Sequence, residues 1–310
     1  MKKSLLRRIA DHWQIYCFLL PPLIYLILFC YVPMAGVQIA FRKFTIRDGI
    51  WGSKWVGLQQ FAKFFRAYNC KTIIQNTLTL SLYSIAAGFP IPILFALLLN
   101  CVRSAPYKKF IQTVTYMPHF ISTVVVVGMI IQIANPRVGL YGTFMHAITG
   151  EYPADPLGNA SVFPHLYVWS GVWQQFGWGS IVYLAALSNV DPQLHEAAII
   201  DGASRWQRVL HVDLPCILPT ATIMLIMRAG SVMSLGFEKV YLMQNPLNLG
   251  TSEIISTYVY KIGMGVSASG STMPDYSLST AINLFNSLVN LVLICTVNMI
   301  CRRLSETSLW

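Results

Sequence analysis

Charged residues are scarce in this chain. Of its 310 residues, 11% are Asp, Glu, Lys or Arg and 55% are hydrophobic, whereas a soluble globular protein carries about 25% charged residues. The deficit extends along the whole length, which indicates a membrane protein. The formal net charge of +10 comes from short connectors without a basic face or interleaved aromatics, so no nucleic-acid partner is expected.

Several chemical motifs are also missing. The seven cysteines contain no CxxC pair, which argues against a disulfide framework or a metal site. No GxxxxGK[ST] loop occurs, so the chain cannot hold nucleotide phosphates in that manner and is expected to bind no cofactor itself. No His, Glu and Asp cluster has the spacing of acid–base catalysis, which argues against a membrane enzyme. Acidic side chains are nearly absent from the apolar runs, which disfavours an ion-coupled secondary carrier, although that alternative stays open.

Long apolar runs fill most of the sequence. A helix needs about 20 mostly apolar residues to cross the hydrocarbon core, and six segments qualify: 15–38, 73–99, 110–134, 164–187, 216–237 and 276–300. The first run shows no small-residue cleavage site and is therefore expected to be retained. Residues 1–14 place apolar and basic side chains on opposite sides, as in an interfacial helix. The sequence predicts an all-α membrane protein with one six-helix domain over 15–310.

The charge distribution does not fix the orientation of these spans. With the N-terminus inside, the inner segments hold eleven Lys and Arg residues and the outer segments ten, with Arg228 in a span. The positive-inside rule needs a clearer bias. Only the basic N-terminus, which has no acid before Asp11, favours the inside.

The connector at 189–215 is polar between two apolar runs. Asp191-Pro192 is a helix-start signal, and Gly202 suits a helix end. A second short helix is expected at 204–212, after which Pro215 and Pro219 would redirect the chain into the fifth span. The connector is either a solvated loop or a docking surface whose small alanines admit a partner's backbone.

The spacing of residues in this connector resembles the EAA motif of ABC importer permeases. It reads Glu196-Ala197-Ala198, three residues, Gly202, and later Leu214-Pro215; Val212 stands where the family more often has isoleucine. The resemblance implies that the loop is a cytoplasmic coupling helix that docks on an ATPase. The residues expected to carry this contact are Glu196, Ala197, Ala198, Asp201, Gly202, Leu214 and Pro215.

The EAA resemblance also implies the orientation and the architecture. A cytoplasmic loop at 189–215 places both termini in the cytoplasm of a multi-pass protein of the bacterial cell membrane. The implied fold is the six-helix fold of type I ABC importer permeases.

Further segments, at 55–65, 116–122, 183–206 and 236–264, resemble sugar ABC permeases of the polysaccharide type. This implies an oligosaccharide substrate, membrane lipid around the spans, a related second permease, an extracytoplasmic solute-binding protein and two ATPase copies that bind ATP and Mg. The EAA motif alone does not separate sugars from peptides or other solutes, so that alternative remains.

Polar and aromatic side chains inside the predicted spans are candidates for the substrate path. Asn283, Asn286 and Asn290 form one stripe of the last span, and the fourth span presents Trp169, Trp173 and Gln174. Aromatic faces suit the C–H surfaces of sugars, and amides suit their hydroxyls. The alternative is that these amides form interhelical hydrogen bonds.

Arg228 is placed near the middle of the fifth predicted span. A charge there costs at least about 2.5–3.5 kcal/mol on insertion scales, so it needs a cavity or a partner. The partner is either Glu238 or a carboxylate of the second permease, or else an acidic sugar such as a uronate.

Overall fold

The computed structural model describes residues 13–267, 270–271 and 273–304. The predicted interfacial helix at 1–14 lies outside the described residues except for its last two. The chain divides into two compact units, Met1–Ala67 with Lys261–Phe285 and Tyr68–Tyr260 with Asn286–Trp310.

The first unit begins with a long exposed helix. Its elements are α1 (Trp13–Leu26), a π turn (Ile27–Tyr31), α2 (Val32–Met34), a 3-10 helix (Ala35–Phe41), β1 (Arg42–Lys43), α3 (Gly49–Gly52), β2 (Lys54–Trp55) and α4 (Gln59–Arg66). The antiparallel pair β1–β2 places Arg42 opposite Trp55. Lys63 Nζ on α4 lies 2.7 Å from Asp275 Oδ2, so α4 is attached to the later segment of its unit by an ion pair.

The second unit contains most of the helices. In chain order they are α5 (Cys70–Gly88), α6 (Pro90–Asn100), α7 (Ala105–Tyr116), a 3-10 turn (Met117–Phe120), α8 (Thr123–Ala134), α9 (Leu140–Thr149), α10 (Phe163–Ser188), α11 (Pro192–Ile200), α12 (Arg205–Arg208), a π turn (Val209–Asp213), α13 (Leu214–Ala229), α14 (Phe237–Met243) and α15 (Leu249–Ser252). Four elements follow: α16 (Ile255–Met264), β3 (Val266–Ser267), β4 (Gly270–Ser271) and α17 (Tyr276–Leu304). Helices α16 and α17 each contain residues of both units, and β3 and β4 belong to the first unit. The segment 265–277 contains the short hairpin β3–β4, and its residues 268, 269 and 272 lie outside the described part.

Helix α10 is the centre of the second unit. Its residues Phe163, Tyr167 and Val168 belong to a buried core with Leu80 of α5 and Val240 of α14, among others. Farther along α10, Tyr183 and Leu187 join a second core with α6 and α13. Where α7 passes α10, a Cβ on Gly177 would overlap the carbonyl oxygen of Thr115. Only glycine allows the two backbones to approach this closely.

The third predicted span, 110–134, is not one straight helix in the structure. The helix through Ala105–Phe120 and the helix Thr123–Ala134 are bent by 95° at the break between them. Pro118 lacks a backbone donor, the helix tightens to a 3-10 turn, and Ile121 becomes extended. Ser122 then starts α8 by accepting the N–H of Val125.

The fifth predicted span also needs correction. Helix α13 ends at Ala229 rather than continuing to 237, because the chain turns from Gly230 onward. At its start, Pro215 and Pro219 do not redirect the chain: α12, the π turn and α13 form one helical run over Arg205–Ala229. Pro215 lies in the first turn of α13, where a missing N–H costs little.

Length and composition identify several helices that can cross a membrane. Within the described residues there are four such helical runs, or five if the bent pair at 105–134 is one span: Trp13–Phe41, Cys70–Asn100, Arg205–Ala229 and Tyr276–Arg302. Helix α10 is long enough, but it is not apolar enough to be counted with them. The described chain is therefore mostly helical, with several helices that can cross a membrane, and two short hairpins accompany them.

Candidate functional site

The predicted coupling helix is present as α11. Its N-cap is Asp191, whose Oδ1 accepts the N–H of Gln193 at 2.9 Å, with Pro192 in the first turn. At the other end Gly202 adopts φ of 77°. The N–H of Gly202 bonds the Ile199 carbonyl at 3.0 Å, and the N–H of Ala203 bonds the Ala198 carbonyl at 2.9 Å. This is a Schellman ending, as the glycine predicted.

Helix α11 leaves its apolar side chains uncovered. None of its residues is buried, and Leu194, Ile199 and Ile200 are exposed by 48%, 55% and 85%. Glu196, Ala197, Asp201 and Gly202 are exposed too. An apolar surface of this kind is typical of a protein interaction site.

Two members of the predicted coupling set lie elsewhere. Leu214 and Pro215 are the first residues of α13, and Leu214 packs against the core formed by α6, α10 and α13. They therefore anchor the segment that follows the coupling helix rather than extend its exposed surface.

A cavity of about 360 Å³ lies among α5, α10, α13 and α14, and both Arg228 and Gln174 line it. Arg228 is in the last turn of α13, so the prediction of a place near the middle of a span was wrong; the helix ends one residue later. Glu238 lines the same cavity, yet within the described residues Arg228 has no carboxylate within the 4.0 Å of an ion pair.

Lys239 is a second cation in this cavity that sequence reasoning missed. The residue is 9% exposed, its Nζ donates to the Tyr167 carbonyl at 3.0 Å, and it lies 5.1 Å from the centre of the Tyr167 ring. Within the described residues it has no carboxylate partner. In the sequence Lys239 lies just beyond the predicted end of the fifth span, at 237. A charged residue is common in a connector, so nothing in the sequence marked this lysine as buried.

Gln174 serves the bend in the third predicted span. It is 7% exposed, and its Nε2 donates to the Ile121 carbonyl at 2.8 Å. Ile121 lies at the break between the 3-10 turn and α8, where helical carbonyls lose their partners. The amide nitrogen of Gln174 is therefore occupied by the backbone although the residue lines the cavity.

The two tryptophans predicted for the path do not line this cavity. Trp169 and Trp173 are exposed by 52% and 43%. Trp169 Nε1 donates to the Tyr83 hydroxyl at 2.9 Å, which also contacts His165 Nδ1 at 2.9 Å. They form part of an aromatic surface on α10 and α5.

The predicted asparagine stripe is divided among different environments and does not line the cavity. Asn290 accepts the N–H of Met233 at 2.9 Å and donates to Ser234 Oγ at 2.8 Å, so its amide holds the turn that follows α13. Asn286 has a buried Oδ1 that finds no hydrogen-bond partner among the described residues. Asn283 belongs to the other unit.

Comparisons with known proteins agree with this architecture. The family model of the binding-protein-dependent transport system inner membrane component matches residues 73–306. Protein LplB of Bacillus subtilis (strain 168) is 41% identical over 97% of this chain and 92% of its own length. The polygalacturonan/rhamnogalacturonan transport system permease protein YteP of the same organism is 39% identical over 100% of this chain and 94% of its own length.

Two solved structures have the same fold. One is a bacterial ABC transporter involved in the import of the acidic polysaccharide alginate, with TM-score 0.87, 36% identity and coverage of 97% of this chain and 99% of the other. The other is the bacterial alginate ABC transporter in complex with alginate pentasaccharide-bound periplasmic protein, with TM-score 0.88, 36% identity and coverage of 98% and 99%. The chain therefore belongs to the family of binding-protein-dependent transport system inner membrane components, the multi-pass membrane permeases of ABC importers.

Proposed function

We propose that this permease forms half of the translocation path of an ATP-driven importer for oligosaccharides that carry uronic acids. The observation that carries the cargo class is the cavity that Arg228 and Lys239 line without a carboxylate partner in the described chain. A cation withdrawn from water is unfavourable unless it is paired. A sugar carboxylate supplies the missing charge.

The packing around both cations supports a ligand site. A Cβ on Gly88 of α5 would lie 3.4 Å from Arg228 Nη1, and one on Gly171 of α10 would lie 3.3 Å from Lys239 Nζ. Both glycines also line the cavity. Glycine thus leaves space beside each cation on two different helices.

The relatives support the same cargo. YteP is named for polygalacturonan and rhamnogalacturonan transport, and the two structural neighbours are transporters of alginate, which is described as an acidic polysaccharide. These polymers share sugar carboxylates.

We propose six spans, with the bent pair at 105–134 as one and α10 as another, and both termini in the cytoplasm of a bacterial cell. The proposed partners are a related second permease, two ATPase subunits that bind ATP and Mg, and an extracytoplasmic binding protein. Of these, the binding protein is supported by one structural neighbour, an alginate transporter in complex with a periplasmic protein. The exposed apolar surface of α11 docks on the ATPase. ATP-driven closure moves α11, and the path changes from inward-facing to outward-facing and receives the sugar.

Import by the reconstituted complex tests the cargo. Arg228→Gln and Lys239→Gln are each expected to lower uptake of a uronate oligosaccharide by about tenfold or more, since a hydrogen bond to a charged group contributes about 1.5–3 kcal/mol. A carboxyl-reduced oligosaccharide of equal length should be taken up equally by wild type and both variants. Lys109→Gln removes one exposed cation on α7 and serves as the control. Wild-type uptake of the uronate by both cavity variants would disprove the cargo assignment.

Binding-protein-stimulated ATP hydrolysis tests the coupling surface. Glu196→Gln and Gly202→Val should each reduce stimulation, while ATPase subunits without the permease hydrolyse ATP as before. Full stimulation in both variants would refute the assignment of α11 as the docking element.

A further inference from the structure

An ion pair links the coupling helix to the helical run that follows it. His195 lies on α11, and its Nε2 is 3.2 Å from Oδ1 of Asp213. Asp213 is the last residue of the π turn and directly precedes α13. The side chains thus make a second connection between α11 and the start of α13, in addition to the backbone that passes through Gly202.

The carboxylate in this pair is deeply buried. The side chain of Asp213 is 4% exposed and that of His195 is 29% exposed. Asp213 Oδ1 is inaccessible and makes no well-aligned hydrogen bond within the described residues, so the contact is defined by distance and is an ion pair when His195 is protonated. A buried carboxylate depends strongly on the charge nearest to it, and here that group is the imidazole of His195.

Four other polar groups face the pair across a cavity of about 280 Å³. They are Arg103, Arg205, Arg208 and the thiol of Cys101, and the uncharged amide of Asn100 lines the cavity as a fifth polar group. Within the described chain none of these arginines is within 4.0 Å of a carboxylate, so their attraction to Asp213 acts over a longer range. Burial raises the pKa of Cys101, and Asp213 raises it further against the opposing effect of Arg205 and Arg208. The thiol therefore stays neutral between pH 6 and 8, the approximate range in which histidine changes charge.

We propose that His195 and Asp213 are positioning residues that make α11 and the start of α13 move together when the ATPase subunits close. The proposal rests on the coupling role of α11 and is independent of the cargo. With the pair intact, displacement of α11 carries the π turn and α13 with it. Without the pair, the Gly202 turn can absorb the displacement, and ATP is hydrolysed without a matching movement of the path.

The test is the amount of sugar imported per ATP hydrolysed by the reconstituted complex at pH values from about 6 to 8. His195→Gln and Asp213→Asn should each lower this ratio by about fivefold or more, the lower end of typical coupling between distant sites. His195→Lys keeps a cation opposite Asp213 and should restore much of the ratio with a flatter pH profile. His211→Gln is the matched control, because His211 is exposed on the same π turn and its Nδ1 lies 2.9 Å from the Gln207 carbonyl oxygen of the same helical run.

Several results would overturn the proposal. One is that His195→Gln imports as much sugar per ATP as the wild type over the whole pH range. Another is that His195→Lys lowers the sugar imported per ATP as much as His195→Gln does. If Asp213→Asn does not assemble, the double variant His195→Gln with Asp213→Asn, which carries no buried charge at this position, must assemble and still show the lowered ratio. The ratio of sugar imported to ATP hydrolysed can also be measured with any neutral sugar that the wild-type complex imports. A failure of the uronate assignment therefore leaves this test of the His195–Asp213 pair unaffected.

Discussion

Replacing Gln174 by leucine separates a role in helix architecture from a role in sugar binding. The Gln174 amide donates to the Ile121 carbonyl at the 95° bend between α7 and α8. Leucine fills similar space but leaves this part-buried carbonyl without its donor. An unsatisfied buried polar group costs about 1–3 kcal/mol. We therefore expect the free energy of unfolding to fall by that amount.

The measurement is thermal unfolding of the purified complex in lipid nanodiscs, combined with the KM for sugar uptake. A loss of 1 kcal/mol lowers Tm by about 2–4 °C in domains of 150–250 residues, so a decrease of several degrees is expected with KM unchanged. Gln175→Leu is the control. Gln175 is the next residue and lines the same cavity, but it is exposed, and among the described residues its side chain bonds only His119, so the Tm of this variant should change by less. An unchanged Tm together with a raised KM in Gln174→Leu would refute the reasoning and return Gln174 to the substrate path.

Three further substitutions give distinct expectations. Gly177→Val places a side chain against the Thr115 carbonyl and should prevent stable assembly, which co-purification with the ATPase measures. Gly128→Ala is the control and should assemble normally, because a Cβ at Gly128 meets nothing within 4 Å. Gly202→Ala forces a side chain into a left-handed backbone of φ 77° at a cost of about 1–3 kcal/mol and should reduce stimulated ATP hydrolysis; equal stimulation would contradict the role of this turn. Asn290→Leu removes the acceptor of the Met233 N–H and should lower Tm without changing KM, so a KM effect alone would support the predicted path role.

The sequence predicted local features well where one residue type has one strong physical effect. Asp191, Pro192 and Gly202 delimit α11 as expected, because a cap, a missing donor and a left-handed turn each act locally. The apolar runs likewise identified membrane helices. Pro118 lies inside the third apolar run and predicts a kink there, but this proline alone does not distinguish a kink from the 95° break that the structure shows. Ser122 and Gln174 decide between them by satisfying the exposed backbone groups.

The cavity was predicted only in part for a related reason. Arg228 was recognisable because a charge in an apolar run is costly, whereas Lys239 was not, because α13 ends at Ala229 and the predicted span boundary placed the lysine in a connector. Its burial comes from the return of α14 against α10, a tertiary contact that periodicity does not encode. The contact between His195 and Asp213 is likewise a tertiary contact, and the spacing of these residues in the sequence does not predict it.

The polar residues of the second unit differ in whether the described chain supplies them with a partner. An amide donates and accepts, so Gln174 and Asn290 find partners in the backbone at the bend before α8 and the turn after α13, and such partners hold helices together without any ligand. A cation can only donate, and its charge is neutralised only by an anion. Arg228 and Lys239 have no carboxylate within ion-pair distance in the described chain, although Glu238 lines the same cavity. The amides therefore stabilise the bend and the turn, whereas the two cations lack a carboxylate at ion-pair distance in the described chain, which is why the proposed cargo depends on them.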